Sequence, residues 1–386
     1  MSSNDAVIVS AVRTPVGIGK PAKGVLSGIH AVDLSAVVLN AVTQRVGLDP
    51  SLVEDVIWGC VSQVGEQSSN VARNAVLAAG FPEEVTGVSI DRQCGSSQQA
   101  VTFAAAGVVA GHYDIVIAGG VESMSRVPMF SAMVGGDGPF SAALNDRYDG
   151  GLVPQGISAE MIAEKWNLSR TYLDEIAATS QQRAAAARDA GLFDAEIVAV
   201  ETTDGIVASD QGIRPDTTVE SLAGLKTPFK EDGVVTAGNA SQISDGSAAL
   251  LIMSSARAAE LGLTPLVRIH SVALAGVDPI FMLTGPIPAT EKVLKRSGLD
   301  LSDIGAFEVN EAFASVVGAW LAETGADPAL TNINGGAIAL GHPLGGSGAR
   351  LMTTLVHQMQ RSGAKYGLQT MCEGGGMANA TILELL

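Results

Sequence analysis

Short apolar runs alternate with helix-length segments in the first and last thirds of this chain, and this alternation limits the fold more than any other feature. The predicted helices include 98–109 and 350–360. We predict strands at 6–11, 55–61, 88–90, 114–118, 246–253, 267–273, 304–309 and 368–372, with 88–90 as the end of a buried strand. Strands that alternate with helices indicate an α/β fold with a largely parallel sheet covered on both faces.

Polar residues and glycines mark the ends of two further predicted helices. Asp33 is predicted to cap a helix that ends near Gly47. Asn70 is predicted to cap a second helix that ends at Gly80. Strand 114–118 is predicted to close at a pair of glycines.

The alternation stops in the middle of the chain. Residues 122–244 are richer in glycine, proline and charge, and the one clear helix predicted there is capped by Ser169. We interpret this span as an inserted loop domain. The rest then forms a first half, 1–121 with 245–266, and a second half, 267–386.

A weak internal repeat supports the division into halves. A helix, a glycine, a strand and further glycines follow one another at 98–120, and the same order recurs at 350–376. Such an echo suggests an internal duplication.

Composition narrows the function classes. The 386 residues carry a formal net charge of −17, which argues against a nucleic-acid partner. The three cysteines suit neither a disulfide framework nor a zinc site. No apolar run is long enough for a membrane span, and no signal peptide is visible. We therefore expect a cytoplasmic protein with free thiols and no metal.

Cys94 is the first candidate for chemistry. It lies in residues 91–97, DRQCGSS, where a predicted strand passes into a predicted helix. The free N–H groups of a helix N-terminus stabilise anions, so a thiol there tends to have a lowered pKa and to act as a nucleophile. The alternative is a buried structural cysteine.

His342 lies in a second unusual stretch, 334–350, which is rich in glycine and precedes a helix. The glycine spacing does not match a phosphate-binding loop. It favours a loop whose backbone approaches a ligand or another loop closely. A cysteine nucleophile usually needs a base, and His342 is a candidate, although a lone loop histidine is more often an ordinary surface residue.

Two more strand ends carry reactive or polar groups. Cys372 precedes three glycines, whose N–H groups could donate hydrogen bonds to an oxyanion. Asn310 and Glu311 follow strand 304–309. Asn310 could donate to a carbonyl or a water, but both sites could also be ordinary turns or caps.

Taken together, these stretches resemble the thiolase family. The resemblance covers the whole chain, from RTP at 13–15 through TAGNAS at 236–241 to the glycines at 374–376. The motifs around Cys94, Asn310, His342 and Cys372 occur in the family order and at similar separations.

The resemblance implies a five-layered αβαβα fold of two similar halves with an inserted loop domain. It also implies a ping-pong acyl transfer with coenzyme A thioesters, in which coenzyme A is a substrate and no other cofactor is needed. By this resemblance Cys94 takes the acyl group, His342 is its base, and Cys372 moves the proton at the α-carbon. Asn310 would hold a water that, with His342, binds the enolate oxygen of acetyl-CoA. The N–H groups of Cys94 and Gly374 would bind the acyl-enzyme oxygen.

Further positions match the substrate contacts of the family. Met282 and Phe313 correspond to residues that line the reaction pocket. The coenzyme A contacts correspond to Arg214, Ser221, Ala237 and Ser241. Lys226 and Lys230, with Arg214, could supply local positive charge, or could simply be a solvated face.

One position departs from the short-chain biosynthetic members. They carry His-Met where this chain has Pro154-Gln155. The departure favours degradative thiolysis of a larger 3-ketoacyl-CoA.

Three alternatives stay open at this stage. The first is a biosynthetic acetoacetyl-CoA thiolase. The second is a ketoacyl synthase, which the Cys372 motif argues against. The third is a non-catalytic acyl-CoA-binding or lipid-binding relative. Under the leading hypothesis, degradative thiolysis, we expect acyl-CoA and coenzyme A as partners. We also expect a homo-oligomer, either a dimer or a tetramer.

Overall fold

One ten-stranded sheet runs through both halves of the molecule. The structure, a computed structural model, describes residues 4–149 and 151–386. Residues 1–3 of the predicted first half and Gly150 of the predicted loop domain lie outside the described residues. The strands are β1 Ala6–Arg13, β2 Gly17–Ile18, β3 Asp55–Gly59, β4 Thr86–Ile90, β5 Ile115–Ser123, β6 Val200–Thr202, β7 Gly205–Val207, β8 Ser244–Ser254, β9 Val267–Gly276, β10 Ile304–Val309, β11 Tyr366–Glu373 and β12 Met377–Leu385.

The helices pack mostly on the faces of this sheet. They are α1 Ala31–Gln44, α2 Val71–Ala78, α3 Ser96–Val109, α4 Ala142–Arg147, α5 Gln155–Lys165, α6 Arg170–Asp189, α7 Val219–Ala223, α8 Ser255–Glu260, α9 Pro286–Ser297, α10 Ala314–Thr324, α11 Ala337–Leu340 and α12 Leu344–Ser362. In the described ranges, no helix is long and apolar enough to span a bilayer.

The strand order repeats between the two halves. The first half has the order β1-β8-β5-β3-β4, and the second has the order β9-β12-β11-β10. In each half two antiparallel pairs are followed by a parallel pair. Where the first half has β4, the described part of the second half has a parallel bridge between Phe307 and Thr331. This repeat bears out the fold of two similar halves. The expectation of a largely parallel sheet was wrong, because β8 lies antiparallel between β1 and β5, and β12 lies antiparallel between β9 and β11.

Five layers follow from the positions of the helices. The middle helices α3 and α12 share a core with strands of both halves, in which Ala104 and Met352 pack with Ile252 and Leu383. Helices α1 and α2 cover the outer face of the first half. Helices α9 and α10 cover the outer face of the second half. The αβαβα architecture is therefore confirmed.

The middle helices meet near their N-terminal ends. The Ala349 N–H in α12 donates to Ser97 Oγ in α3 at 2.9 Å. Gln98 accepts a hydrogen bond of 3.0 Å from Gln369 Nε2 and donates one of 2.9 Å to Thr381 Oγ1, so α3 is joined to the second half of the sheet. This contact brings together the segments that precede both helices.

Three expectations about these elements were wrong, and a helix and a strand of the second half were not expected. Helix α1 begins before Asp33, because His30 accepts the hydrogen bond of Val32 N–H as the cap. Strand β4 is not buried, since it is the edge of the sheet and pairs only with β3 in the described chain. Strand β5 does not close at Gly119 but continues through both glycines. Helix α10 and strand β12 were not predicted; α10 is buried for most of its length and shows no polar face.

The span between β5 and β8 holds more than the single predicted helix. Helix α6 begins after its cap Ser169, as predicted. Helices α4, α5 and α7 and the β6–β7 hairpin were missed. Helices α4 and α7 have only six and five residues, too few to show a clear period in sequence. Buried ion pairs from Arg13 to Glu196 (2.6 Å) and Asp210 (2.7 Å) tie this span to β1.

We predict that Gly120→Ala strongly destabilises the fold. A Cβ at Gly120 would lie 2.2 Å from the Gly345 carbonyl oxygen and 2.6 Å from that of Gly59, and backbone atoms cannot turn away. Overpacking of this kind costs about 1–3 kcal/mol or more. The matched control is Gly28→Ala, because a Cβ at Gly28 meets no atom within 4 Å. Urea unfolding should show a lowered midpoint for the first variant alone; equal midpoints would contradict the close approach of β5 and α12.

Candidate active site

Cys94 lies in a tight turn between β4 and α3. The Gly95 N–H donates to Arg92 O at 3.1 Å and the Ser96 N–H donates to Gln93 O at 3.0 Å, so the chain turns directly into the helix. Gln93 has a φ of 48°. The turn places Cys94, which is buried, one residue before the cap of α3.

The electrostatics of Cys94 differ from the expectation of a lowered pKa. Burial raises the pKa of the Cys94 thiol to about 12, and the Glu373 carboxyl adds to the rise. The backbone N–H groups of Cys94 and Gly374 act on the sulfur in the opposite direction. Desolvation therefore outweighs the helix N-terminus, and the thiol is neutral at physiological pH.

Cys372 faces the same space from the end of β11. Burial raises the pKa of its thiol well above the usual value, and the neighbouring Cys94 adds to the rise. The chain then turns through glycines into β12, and this turn brings the Gly374 N–H to the Cys94 sulfur. Two neutral thiols and a backbone donor thus meet in one buried site.

His342 has a defined tautomer in this site. Its Nδ1 lies 2.6 Å from Ser347 Oγ, which donates its own proton to Pro343 O at 2.9 Å. The hydroxyl can then only accept, so we assign the ring proton to Nδ1 and the lone pair to Nε2. Burial, with the charge of Arg350, lowers the pKa of His342 to about 3, so the ring is neutral.

Asn310 lies against the free nitrogen of this ring. Its Nδ2 is 3.4 Å from His342 Nε2, and its backbone N–H donates to Thr370 O at 3.0 Å. Its Oδ1 is buried with no protein partner among the described residues. Asn310 therefore presents a free acceptor beside a basic nitrogen.

Two buried carboxyl groups hold the loops that carry these residues, and the sequence analysis assigned neither a role. Glu122, near the end of β5, accepts from Val61 N–H, Ser62 N–H, Gln67 Nε2 and Gly345 N–H at 2.8–3.0 Å. The last of these fixes the start of α12 directly after His342.

Glu311 does the same for the glycine-rich loop ahead of His342. It accepts from Ser180 Oγ at 2.6 Å, from Ile338 N–H at 3.1 Å and from Asn332 Nδ2 at 3.0 Å. Its place next to Asn310 was the signal available in the sequence. Ser347, five residues after His342, had no comparable signal.

Three of the expected pocket residues lie close to these groups. Met282 and Phe313 share a buried cluster with Cys372. Phe313 also packs edge-to-face on Phe229, with ring centroids 6.1 Å apart. Gln155 begins α5, and its Nε2 is 3.5 Å from the place of a Cβ on Gly374.

The expected coenzyme A residues lie further out. Arg214, Ser221 and Ala237 are exposed, and Ser221 closes a capping box with Thr218 at the start of α7. The Ser241 N–H donates to Ala312 O at 2.9 Å, next to the pocket residue Phe313. Two lysines were also expected to supply positive charge. Lys226 is exposed, and Lys230 forms an ion pair with Glu164 at 3.2 Å.

Nothing in the described chain groups three metal-binding side chains of the His, Cys, Asp or Glu type. The three cysteines Cys60, Cys94 and Cys372 carry free thiols.

Comparison with known proteins accounts for this arrangement. The family model of the thiolase N-terminal domain matches residues 6–256, and that of the thiolase C-terminal domain matches residues 263–385. The chain belongs to the thiolase family. It is therefore an enzyme of acyl transfer.

Named relatives match the chain from end to end. It is 50% identical to the steroid 3-ketoacyl-CoA thiolase FadA6 of Mycobacterium tuberculosis, over 99% of this chain and 94% of the relative. It is 45% identical to the β-ketoadipyl-CoA thiolase of Escherichia coli, over 98% and 99%. It is 42% identical to the 3-ketoacyl-CoA thiolase of Bacillus subtilis, over 99% of each chain.

We predict that His342 does not titrate in the working pH range. Because burial lowers its pKa to about 3, the ring stays neutral at every pH above that value. In ¹⁵N-histidine NMR, its Nδ1 should carry the proton and both ring shifts should stay constant from about pH 5 to about pH 9. The signal is assigned by its loss in His342→Gln. A titration near the ordinary histidine pKa would contradict the buried, neutral ring.

Proposed function

We propose that this thiolase cleaves 3-ketoacyl-CoA with coenzyme A, through an acyl group carried on Cys94. The products are acetyl-CoA and an acyl-CoA shortened by the acetyl unit. The observation that carries this proposal is that two buried thiols share a site with the Gly374 N–H, while the neutral His342–Asn310 pair is joined by the Asn310 N–H to Thr370 on β11, the strand that carries Cys372.

The first half-reaction needs a base, because the Cys94 thiol is neutral at rest. His342 Nε2 takes the thiol proton as the sulfur attacks the 3-keto carbon. The N–H groups of Cys94 and Gly374 stabilise the oxyanion that forms. The bond between C2 and C3 then breaks, and its electron pair passes into the enolate of acetyl-CoA.

Cys372 and the His342–Asn310 pair complete this step. The thiol of Cys372 protonates C2, so acetyl-CoA leaves and Cys372 is left as a thiolate. The enolate oxygen is held by the His342 imidazolium, whose Nε2 now carries the Cys94 proton, and by a water on Asn310.

In the second half-reaction Cys372 takes the proton of the incoming coenzyme A thiol. The coenzyme A thiolate attacks the acyl group on Cys94, and His342 returns the proton to the Cys94 sulfur. Both cysteines are then thiols again, as at the start.

The inserted span is proposed as the coenzyme A side of the site. Arg214, Ser221, Ala237 and Ser241 are the proposed contacts. Their support is exposure in the first three and the bond from Ser241 to Ala312 beside the pocket. The cytoplasmic location and the division at 122–244 remain predictions from the sequence.

The covalent intermediate gives the direct test. A 3-ketoacyl-CoA supplied without free coenzyme A should add one acyl mass to the peptide that contains Cys94, as read by mass spectrometry. The matched variant Cys372→Ser should bind substrate but lose exchange of the α-proton of acetyl-CoA. An acyl label on Cys60 or Cys372, with Cys94 free, would refute the assignment.

Substrate size is predicted from Gln155. Its amide Nε2 lies 3.5 Å from the place of a Cβ on Gly374, so this wall of the pocket is polar. We expect kcat/KM for thiolysis to rise from acetoacetyl-CoA to longer or bulkier 3-ketoacyl-CoAs. A methylene group that is well packed in an apolar pocket should raise it about tenfold or more. A Pro154→His/Gln155→Met variant should move the preference toward acetoacetyl-CoA. If acetoacetyl-CoA is the best wild-type substrate, the biosynthetic alternative replaces this proposal.

A homo-oligomer is the proposed assembly. The outer edge of β4 has no strand partner in the described chain, and Val88 there is 42% exposed. Helix α3, which follows it, exposes Phe103 (47%) and Val109 (57%). Unpaired strand edges flanked by apolar side chains favour association. Light scattering should give at least twice the mass of one chain; a monomer at working concentration would contradict the proposal.

A further inference from the structure

Glu373 is a buried acid next to the nucleophile that the mechanism above does not use. It is the last residue of β11 and follows Cys372 directly. Both carboxyl oxygens are buried with no hydrogen-bond partner in the described chain. A buried carboxylate normally accepts several hydrogen bonds, so a buried carboxyl group that accepts none is unusual.

Glu122 provides the internal comparison. Each half of the sheet has a glutamate near the end of the corresponding strand, β5 or β11, that reaches the start of the middle helix of the other half. Glu122 accepts one hydrogen bond from Gly345 N–H at the start of α12 and three more from Val61 N–H, Ser62 N–H and Gln67 Nε2 in the segment after β3. Glu373 meets the start of α3 and accepts none in the described chain. The hydrogen bonds of Glu122 act against the rise in its pKa that burial causes, whereas Glu373 lacks such donors in the described chain.

The carboxyl group of Glu373 lies against the turn that carries Cys94. A Cβ at Gly95 would be 1.9 Å from Glu373 Oε1 and 2.7 Å from Asn379 Nδ2. Asn379 uses that amide to donate to Gly95 O at 3.1 Å. Only a glycine therefore allows this acid to approach the nucleophile so closely.

The charged and titratable groups around Glu373 come from the turn and from its own strand. Burial raises the pKa of Glu373 to about 8; Arg92 acts against this rise and Asp91 adds to it. The charge of Glu373 in turn raises the pKa of both neighbouring thiols, Cys94 and Cys372. The pocket tolerates one negative charge far better than two.

We propose that Glu373 is a positioning residue for the nucleophile, whose carboxyl must be protonated while Cys94 carries negative charge. When Glu373 loses its proton to solvent, the Cys94 thiolate becomes less stable and the enzyme loses reactivity on the alkaline side. The inference rests on the proposed role of Cys94 as the acylated residue.

Alkylation of Cys94 by iodoacetamide, followed by mass spectrometry of its peptide, tests the inference without using turnover. Glu373→Gln keeps the shape of the side chain but cannot ionise. Below about pH 7 the wild type and this variant should react within about twofold of one another, because Glu373 is neutral in both. Above about pH 9 the variant should react about tenfold faster, which corresponds to a drop of about one unit in the Cys94 pKa.

The pH dependence separates this effect from a structural one. A change in folding or access would alter the rate by the same factor at every pH. A constant ratio of the two rates across the pH range therefore overturns the inference. Glu308→Gln is the matched control. Glu308 is also buried with no hydrogen-bond partner in the described chain, but the charge that acts on it is that of Arg350. Its Cys94 profile should follow the wild type.

The wild type alone also decides the question if Glu373→Gln fails to fold. Its alkylation rate should rise with pH in two segments, separated by a flatter region near pH 8, whereas a single straight rise overturns the inference. A failure of the proposed function is distinguishable, because the acyl label would then be missing from Cys94 whatever these profiles show.

Discussion

The contact between the two middle helices is the constraint on which the rest of the structure depends. Helices α3 and α12 lie between the two halves of the sheet and meet at Ser97 and Ala349, close to their first turns. Cys94 precedes one helix and His342 precedes the other. The contact that closes the core is therefore also the contact that fixes the helices behind the proposed nucleophile and its proposed base. Backbone this close requires glycine at positions such as Gly120.

The buried carboxyl groups around this contact have different functions. Glu122 and Glu311 accept several hydrogen bonds each and hold the segments on either side of His342. Arg13 holds the inserted span through Glu196 and Asp210. Glu373 has no such donors in the part of the chain that the structure describes, and its carboxyl lies against the turn that carries Cys94, which is why we propose that the two are coupled. The hydrogen-bond donors that the fold provides therefore decide whether a buried carboxyl group holds a loop in place or responds to pH.

Burial also explains the chemistry of the resting site. Desolvation raises the pKa of both thiols and lowers that of the imidazole, so the site rests with Cys94, Cys372 and His342 uncharged. In the proposed mechanism charge appears only as the substrate reacts, next to the backbone N–H groups of Cys94 and Gly374. Donors that are preorganised in a water-poor site stabilise a developing oxyanion more than they would in water.

The sequence by itself determined the class of the fold and the family, and it supplied the candidate residues of the site. Alternating apolar runs predicted strands and helices, and the motifs around Cys94, Asn310, His342 and Cys372 indicated a thiolase. These signals are local, so a linear reading can find them. The prediction of Asp33 as the cap of α1 and the prediction of a buried β4 were both wrong. Caps and sheet edges depend on which segments pack next to one another, and this is not visible in the sequence. Only the tertiary structure decided the raised pKa of Cys94, since burial outweighs the helix N-terminus there. It also decided the surroundings of Ser347, Glu122 and Glu373, which depend on how the chain packs in space and leave no periodic pattern in the sequence.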